Sequence, residues 1–158
     1  MAASRFVGFF LSYPDKEFLA DWTKGILEEY PNFNIVGEEW VSDPSLISYW
    51  QSNAIRGDGY NSYLPSIMDF PLQSAITEGL KGETAWRSSM AKIYESLAND
   101  YMYGELNNIM IFPDNHDMSR IYTQLDEDFD LWKMAMSIYF TMRGTLQIFY
   151  GTEILMSN

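Results

Sequence analysis

The sequence predicts an α/β domain built on a parallel sheet. Helix-like and strand-like segments alternate along its 158 residues, and the strand-like segments are short and almost continuously apolar. Such strands are buried on both faces, as in parallel sheets whose strands are joined by right-handed helical crossovers. Hydrophobic residues make up 47% of the chain and aromatic residues 16%, so it has enough apolar surface to fold around a core.

The first predicted elements are a helix and the strand that follows it. Residues 14–29 carry apolar side chains at helical spacing, with Pro14 and Asp15 as start signals and YPN as a stop. The next segment, FNIVGEEW, is a short apolar run that ends in Gly and two acids. It predicts a buried strand that opens into a polar loop at its C-terminal end.

The same alternation continues to the end of the chain. SLISYWQ predicts a short helix, RGDGYNSY a loop and LPSIMDF a strand, and residues 84–103 predict the longest helix of the middle section. NNIMIF predicts the next strand, DLWKMAMSIYFTMRG a helix that ends at Gly144, and TLQIFYG the last strand. These segments give four strands and about four helices.

The composition excludes several classes of partner and site. Ten Lys and Arg residues and 22 Asp and Glu residues give a formal net charge of −12, so nucleic acid and anionic membrane surfaces are not expected to bind. With no cysteine and one histidine, neither a metal site nor a cofactor is expected. The apolar run 6–11 is too short for a signal-peptide core, and the localisation stays open.

Two predicted strands end in carboxylates. Glu38 and Glu39 follow one strand, and Asp114 and Asp117 follow another, beside His116. The C-terminal ends of parallel strands meet at one edge of a sheet, so the side chains of these residues are expected to lie close together there. Paired carboxylates suit glycoside hydrolysis, in which one is a protonated acid and the other stabilises or traps the sugar cation. By position alone, helix caps and solvated loop residues explain such acids as well.

Three segments resemble a known enzyme family. NIVGEEW and FPDNHDMSR are similar to the third and fourth signature segments of the α-amylase superfamily, glycoside hydrolase family 13, especially its neopullulanase and cyclomaltodextrinase branch. RGTLQIFYGTEI resembles the last barrel strand of these enzymes. The resemblance runs from about residue 12 to the C-terminus. It leaves residues 1–11 as a non-family segment and 12–158 as the C-terminal half of an α-amylase-type catalytic barrel.

The resemblance implies a fold and a set of functional residues. The fold would be a partial (β/α)₈ TIM barrel of about four parallel βα units, corresponding to the family's fifth to eighth strands. Glu38 would be the general acid/base, and Asp117 the carboxylate that stabilises the transition state. The substrate would be an α-glucan or maltooligosaccharide, bound by Asn115, His116, Arg120 and Trp40. For Trp40, Trp50, Tyr60 and Tyr63, stacking on glucose rings and ordinary packing both remain open.

One part of the family pattern has no counterpart. Family members carry a G-x-R-x-D segment just before the helix that begins here near Pro14, and its Asp is the nucleophile. Residues 1–14 contain no Asp or Glu, and the nucleophile's place falls near Phe9. A retaining glycosidase without its nucleophile cannot form the glycosyl-enzyme, so this chain alone is expected to be inactive. A truncation, a rearranged gene or a shifted reading frame would explain residues 1–11.

Half a barrel also predicts self-association. Four βα units leave open edges on the NIV and QIF strands and one uncovered sheet face, which favour pairing with another chain. A two-fold dimer that closes eight strands between two copies is therefore expected. Two functions remain in view: a fragment of a retaining α-glucan hydrolase that is inactive alone, and a non-catalytic self-associating module with weak or no glucan binding.

Overall fold

The structure, a computed structural model, describes residues 6–10, 15–82 and 90–158, with the backbone alone for residues 6–10. The strands in these ranges are β1 Phe6–Phe10, β2 Asn34–Glu38, β3 Ser66–Ile67, β4 Met110–Ile111 and β5 Thr145–Leu146. The α-helices are α1 Lys16–Glu29, α2 Pro44–Ser48, α3 Phe70–Lys81, α4 Met90–Leu97, α5 Ile121–Gln124 and α6 Phe129–Thr141. None of these helices has the length and apolar character needed to cross a bilayer.

The strands lie side by side in chain order, and all of them run parallel. β1 pairs with β2, and β2 pairs with β3. A parallel bridge between Met68 and Met110 joins β3 to β4, which pairs with β5. Consecutive strands of a (β/α)₈ barrel have this same order, but the strands described here form an open row rather than a closed barrel.

All four predicted strands are present, and β1 is an additional one. β1 covers the side of β2 that was expected to be open, so the prediction of a free edge on the NIV strand is wrong. Among the described strands, β1 and β5 are the outer ones. Two copies with the five described strands each would bring ten strands together, so this sheet does not match the expected closure of eight strands by two copies.

The helices differ from the predicted ones at four places, one of which is the short helix α5, absent from the prediction. The sequence analysis did not predict α3, whose start signals are Pro71 and the cap Asp69, which accepts a hydrogen bond from Leu72 N at 3.0 Å. The helix predicted over 84–103 is present as α4 and a 3₁₀ turn, while residues 83–89 lie outside the described residues. α6 ends before Gly144, whose φ of 97° turns the chain into β5.

Two apolar clusters hold the helices against the sheet. One packs α1 and α2 against β2, β3 and β4, and the other packs α3, α4 and α6 around β4. Each fully buried Leu, Ile or Phe side chain stabilises the fold by about 1.5–3 kcal/mol relative to its exposed state. The fully buried side chains of the two clusters include Leu19, Ile35, Ile47, Leu64, Ile67, Leu72, Ile76, Ile109, Phe112 and Leu125.

A buried ion pair joins the start of α3 to the approach to β5. The Asp69 carboxylate, 1% exposed, receives a hydrogen bond from Arg143 Nη1 at 2.7 Å. Arg143 also binds Asp100 through Nε, at 2.8 Å, and Nη2. Because an unpaired buried carboxylate would cost several kcal/mol, Arg143 stabilises the packing of these three segments against one another.

A buried glutamine joins the loop before β3 to the segment before β4. Gln51 donates through Nε2 to the carbonyls of Pro65 and Glu105, at 3.2 and 2.9 Å. Its Oε1 accepts from the backbone N–H groups of Gly104 and Glu105, at 2.9 and 3.3 Å. The chain passes so closely here that a Cβ on Gly104 would lie 1.9 Å from the carbonyl oxygen of Ser52.

This close approach predicts opposite effects for two Gly→Ala substitutions. Gly104→Ala should lower the free energy of unfolding by about 1–3 kcal/mol, because backbone would have to move to admit the methyl group. Gly25→Ala, in the middle of α1 with no atom within 4 Å of the new Cβ, should raise it by about 0.5–1 kcal/mol. Urea denaturation of both variants checks this, and equal stabilities would contradict the packing around Gly104.

Candidate active site

The ends of β2 and β4 bring the predicted carboxylates into one neighbourhood. Glu38 is the last residue of β2, and Asp117 lies in the loop 113–119 that follows β4. Partial burial raises the pKa of Glu38, the negative charge of Asp117 raises it further, and His116 lowers it. Glu38 thus has the environment of a carboxyl that keeps its proton more readily than a solvated one, which is what a general acid needs.

His116 and Asp117 are accessible to a ligand. Their side chains are 71% and 49% exposed, and His116 Nε2 lies 3.4 Å from Asp117 Oδ2. The half-exposed Asp117 carboxyl group differs from that of Glu38, whose partial burial favours the protonated form. Two carboxyl groups with such different surroundings suit two different chemical roles.

Asp114 is a structural residue of the same loop. Its carboxylate is fully buried, accepts a hydrogen bond from Ile121 N at 2.9 Å, and accepts another from the Thr152 hydroxyl at 2.7 Å. It therefore joins the loop to the start of α5 and to the C-terminal segment. Both contacts are made within the chain, and the buried Asp114 carboxylate has no surface that a ligand could reach. Asp114 therefore holds the loop in place, whereas the exposed Asp117 is accessible to a ligand.

Asn115 combines a structural contact with an unused donor. Its side-chain Oδ1 accepts from Asp117 N at 2.9 Å, which fixes the turn at Asp117. Its Nδ2 is buried and has no hydrogen-bond partner among the described residues. A buried donor left unpaired costs about 1–3 kcal/mol, so a ligand oxygen that reached Nδ2 would recover this cost.

Arg120 is used within the chain. It is 8% exposed, and its Nη1 donates to the carbonyl of Tyr150 at 2.7 Å. Its guanidinium also lies over the rings of Phe149 and Tyr150, 4.2 and 4.9 Å from their centroids. These contacts hold the C-terminal segment against the loop, and they occupy the group that the resemblance assigned to substrate binding.

Trp40 is the aromatic candidate beside an open pocket. Its ring is 50% exposed and stacks on Phe70, with 5.4 Å between centroids and 17° between planes. A surface pocket of about 500 Å³ adjoins the ring. Glu39 lies between Glu38 and Trp40 in the sequence, and partial burial raises the pKa of its carboxyl group. The pocket is lined by Trp40, Val41, Ser42, Asp43, Leu46, Phe70 and Ser74.

The other aromatic candidates make contacts within the chain. Trp50 meets Tyr60 edge to face, and the Tyr60 hydroxyl donates to the carbonyl of Lys16 at 3.0 Å. Burial raises the pKa of Tyr60 to about 12. Tyr63 lies under the ammonium group of Lys24, 5.7 Å from its ring centroid. Packing, hydrogen-bond and cation–π contacts within the chain explain the positions of these three rings.

The register of β1 locates the place opposite Glu38. Phe10 is the parallel partner of Glu38, and Phe9 is the partner of Gly37. Neighbouring strands lie about 4.8 Å apart, and the carboxyl groups of retaining glycosidases are about 5–5.5 Å apart. Position 10 is therefore the backbone neighbour of Glu38 in the sheet, one residue from the place near Phe9 where the family resemblance puts the nucleophile.

The sequence analysis missed the residues that hold the loop 113–119. Gln73 and Thr77 on α3, Gln124 on α5 and Thr152 near the C-terminus all make hydrogen bonds to it or to each other. No local pattern indicates such contacts, because the partners are far apart in sequence. Within the described ranges, no group of three or more His, Asp or Glu side chains is arranged to hold a metal ion.

Comparisons with known proteins agree on one family. Residues 9–158 match the family described as "Alpha amylase, catalytic domain". A cyclomaltodextrin glucanotransferase of Niallia circulans is 30% identical over 132 residues, which are 84% of this chain and 17% of that protein. A cyclomaltodextrinase of a Bacillus species is 25% identical over 145 residues, 87% of this chain and 23% of that protein.

Solved structures give the same fold. An α-amylase from Geobacillus thermoleovorans in complex with acarbose superposes with a TM-score of 0.77 at 24% identity, over 96% of this chain and 33% of that one. A cyclomaltodextrin glucanotransferase, CldA, gives 0.76 at 25% identity, over 97% of this chain and 30% of that one. The chain thus spans a third or less of the length of these proteins.

The charges around Glu38 predict how its titration responds to substitution. Asp117→Asn should lower the pKa of Glu38, because it removes a negative charge that raises it, and His116→Gln should raise it. ¹³C NMR of the Glu carboxyl carbons checks both, with Glu38→Gln to assign the resonance. Asp126→Asn, an exposed residue paired with Lys81, is the matched control and should leave the Glu38 titration unchanged.

Proposed function

Because the chain belongs to the α-amylase family, glycoside hydrolase family 13, we propose that it carries part of the catalytic site of a retaining α-glucan hydrolase. Glu38 is the general acid/base, and Asp117 is the carboxylate that stabilises the transition state. The observation that carries this proposal is the position of Glu38 at the end of β2, half-buried and close enough to Asp117, 79 positions away in sequence, for the charge of Asp117 to raise its pKa.

Each proposed role follows from the surroundings of the residue. Glu38, whose pKa is raised by burial and by the charge of Asp117, gives its proton to the glycosidic oxygen as the bond to the leaving sugar breaks. Asp117 is exposed and stabilises the positive charge that develops on the sugar ring. His116 and the unpaired Asn115 Nδ2 donate hydrogen bonds to sugar hydroxyls.

Trp40 is proposed as a platform for a glucose ring. A half-exposed indole beside an open pocket offers flat apolar area to the face of a sugar, and its stacking on Phe70 fixes the ring plane. Arg120 is proposed to act indirectly, since its guanidinium holds the C-terminal segment against the loop that carries Asp117.

The substrate class is inferred from the relatives. Their names refer to cyclomaltodextrin, and one solved relative is an α-amylase bound to acarbose. We therefore infer that an α-glucan or maltooligosaccharide binds at this site. The narrower assignment to the neopullulanase and cyclomaltodextrinase branch rests on the FPDNHDMSR segment and on the cyclomaltodextrinase relative.

We further infer that this 158-residue polypeptide does not hydrolyse its ligand alone. Phe10 occupies the register position opposite Glu38, and residues 1–14 contain no Asp or Glu that could form a glycosyl-enzyme. General acid and stabiliser without a nucleophile leave the covalent step without a reacting group. The family match begins at residue 9, so on this proposal only residues 1–8 stand outside the family portion of the chain.

A second candidate is a non-catalytic module that self-associates and binds glucan weakly or not at all. It is favoured by an apolar pocket of about 310 Å³ on the sheet, together with the outer strands β1 and β5. A second copy of this chain would cover these surfaces. Sedimentation velocity tests this, and a monomer at high concentration would contradict it. The pocket is lined by Asn34, Ser66, Met110, Thr145, Leu146 and Gln147.

Binding and turnover separate the two candidates. His116 is the only histidine in the sequence, so its ring resonances report directly on the site. We expect maltoheptaose to shift them and cellohexaose, a β-linked control, not to do so. Trp40→Ala should weaken binding roughly 2–10-fold through lost stacking, whereas Tyr63→Ala, whose ring lies under Lys24, should leave it unchanged.

The same samples test the absence of turnover. Reducing ends released from maltoheptaose should not exceed those of the Glu38→Gln and Asp117→Asn variants. Turnover that both substitutions abolish would mean that another carboxylate acts as nucleophile. If the His116 resonances do not move with maltoheptaose, the glucan site is refuted and the self-associating module is favoured.

A further inference from the structure

Two glutamine side chains join the ends of the loop that carries His116 and Asp117. Gln73 on α3 donates through Nε2 to the carbonyl of Pro113, at 3.0 Å, and to Gln124 Oε1, at 3.0 Å. Gln124 in turn donates through Nε2 to the carbonyl of Ser119. A run of three hydrogen bonds therefore joins the first residue of the loop to its last.

Burial makes these hydrogen bonds costly to break. Gln73 is 4% exposed, and its bond to the Pro113 carbonyl is fully buried. Thr77, one turn further along α3, lies 3.2 Å from Gln73 Nε2 and 3.4 Å from Gln124 Oε1. A buried amide without partners is costly, so the loop ends cannot separate without leaving several polar atoms unpaired.

We propose that Gln73 is a positioning residue which, through Gln124, sets the distance between the two ends of the loop 113–119 and so holds His116 and Asp117 towards Glu38. Gln73 is bonded to Pro113, not to His116 or Asp117, and acts through the loop backbone. Its consequence for catalysis rests on the proposed function, but the placement of the charges around Glu38 does not depend on activity.

A residue with only a structural role would differ from a positioning residue in one measurable way. Loss of a buried hydrogen-bond hub lowers stability in either case. Only a positioning residue also alters the charges felt by Glu38, which come from Asp117 and His116. The Asp117 effect is the larger of the two, so a loosened loop should lower the pKa of Glu38.

The experiment is a titration of Glu38 in the full chain carrying Gln73→Leu. We expect the pKa of Glu38 to fall in the same direction as in Asp117→Asn. Adding Asp117→Asn to Gln73→Leu should then cause a smaller shift than it causes in the unmodified chain, because both act through the same charge. Gln124→Leu, a less buried member of the same run, should reproduce the fall if Gln73→Leu does not fold.

Gln51→Leu is the matched control. It removes a buried glutamine with four backbone hydrogen bonds at the other end of the fold, so it should lower stability and leave the Glu38 titration unchanged. A normal Glu38 titration in both Gln73→Leu and Gln124→Leu, with Asp117→Asn still shifting it, would overturn the proposal and leave the proposed function intact. An Asp117→Asn variant without effect on Glu38 would instead overturn the shared site, and this proposal with it.

Discussion

The buried carboxylate of Asp69 is the group on which the arrangement of the described chain depends. It caps α3 through Leu72 N and at the same time binds Arg143, which also holds Asp100. A charge removed from water must have such partners, since an unpaired one would cost several kcal/mol. The start of α3, the 3₁₀ turn at residues 100–102 and the approach to β5 are therefore fixed relative to one another. Gln73 lies one turn into α3, so this constraint also reaches the loop of the candidate site.

The site illustrates how the surroundings of a carboxyl group decide its role. Asp114 and Asp117 are three residues apart, yet one is buried and bound to backbone and hydroxyl donors while the other is exposed. Glu38 is between these extremes, partly buried and near a negative charge that favours its protonated form. An α-amylase-type mechanism needs a proton donor and a second carboxyl group that stabilises the transition state. A partly buried and an exposed carboxyl group, Glu38 and Asp117, lie near each other here.

Local signals in the sequence were sufficient for some of these features and insufficient for others. Asp15 caps α1 through Phe18 N as its position before an apolar helical pattern predicts, and four apolar runs form strands. α3 was missed because its start signals, Asp69 and Pro71, overlap the end of a strand pattern. The Gln73–Pro113 hydrogen bond and the burial of Arg120 join positions far apart in sequence, so no local periodicity reveals them. β1 was missed because its apolar run was weighed as a targeting signal rather than as a strand.

The side-by-side order of the strands has a consequence for biosynthesis. Each strand pairs with its neighbour in the chain, so successive βα units can pack as they leave the ribosome. Asp69 is the exception, since its cation is supplied by Arg143, 74 positions later. In a nascent chain that contains α3 but not yet β5, the Asp69 carboxylate has no Arg143 to pair with at a position that is buried in the folded chain. Stable docking of α3 must therefore wait until Arg143 has been made and can reach Asp69.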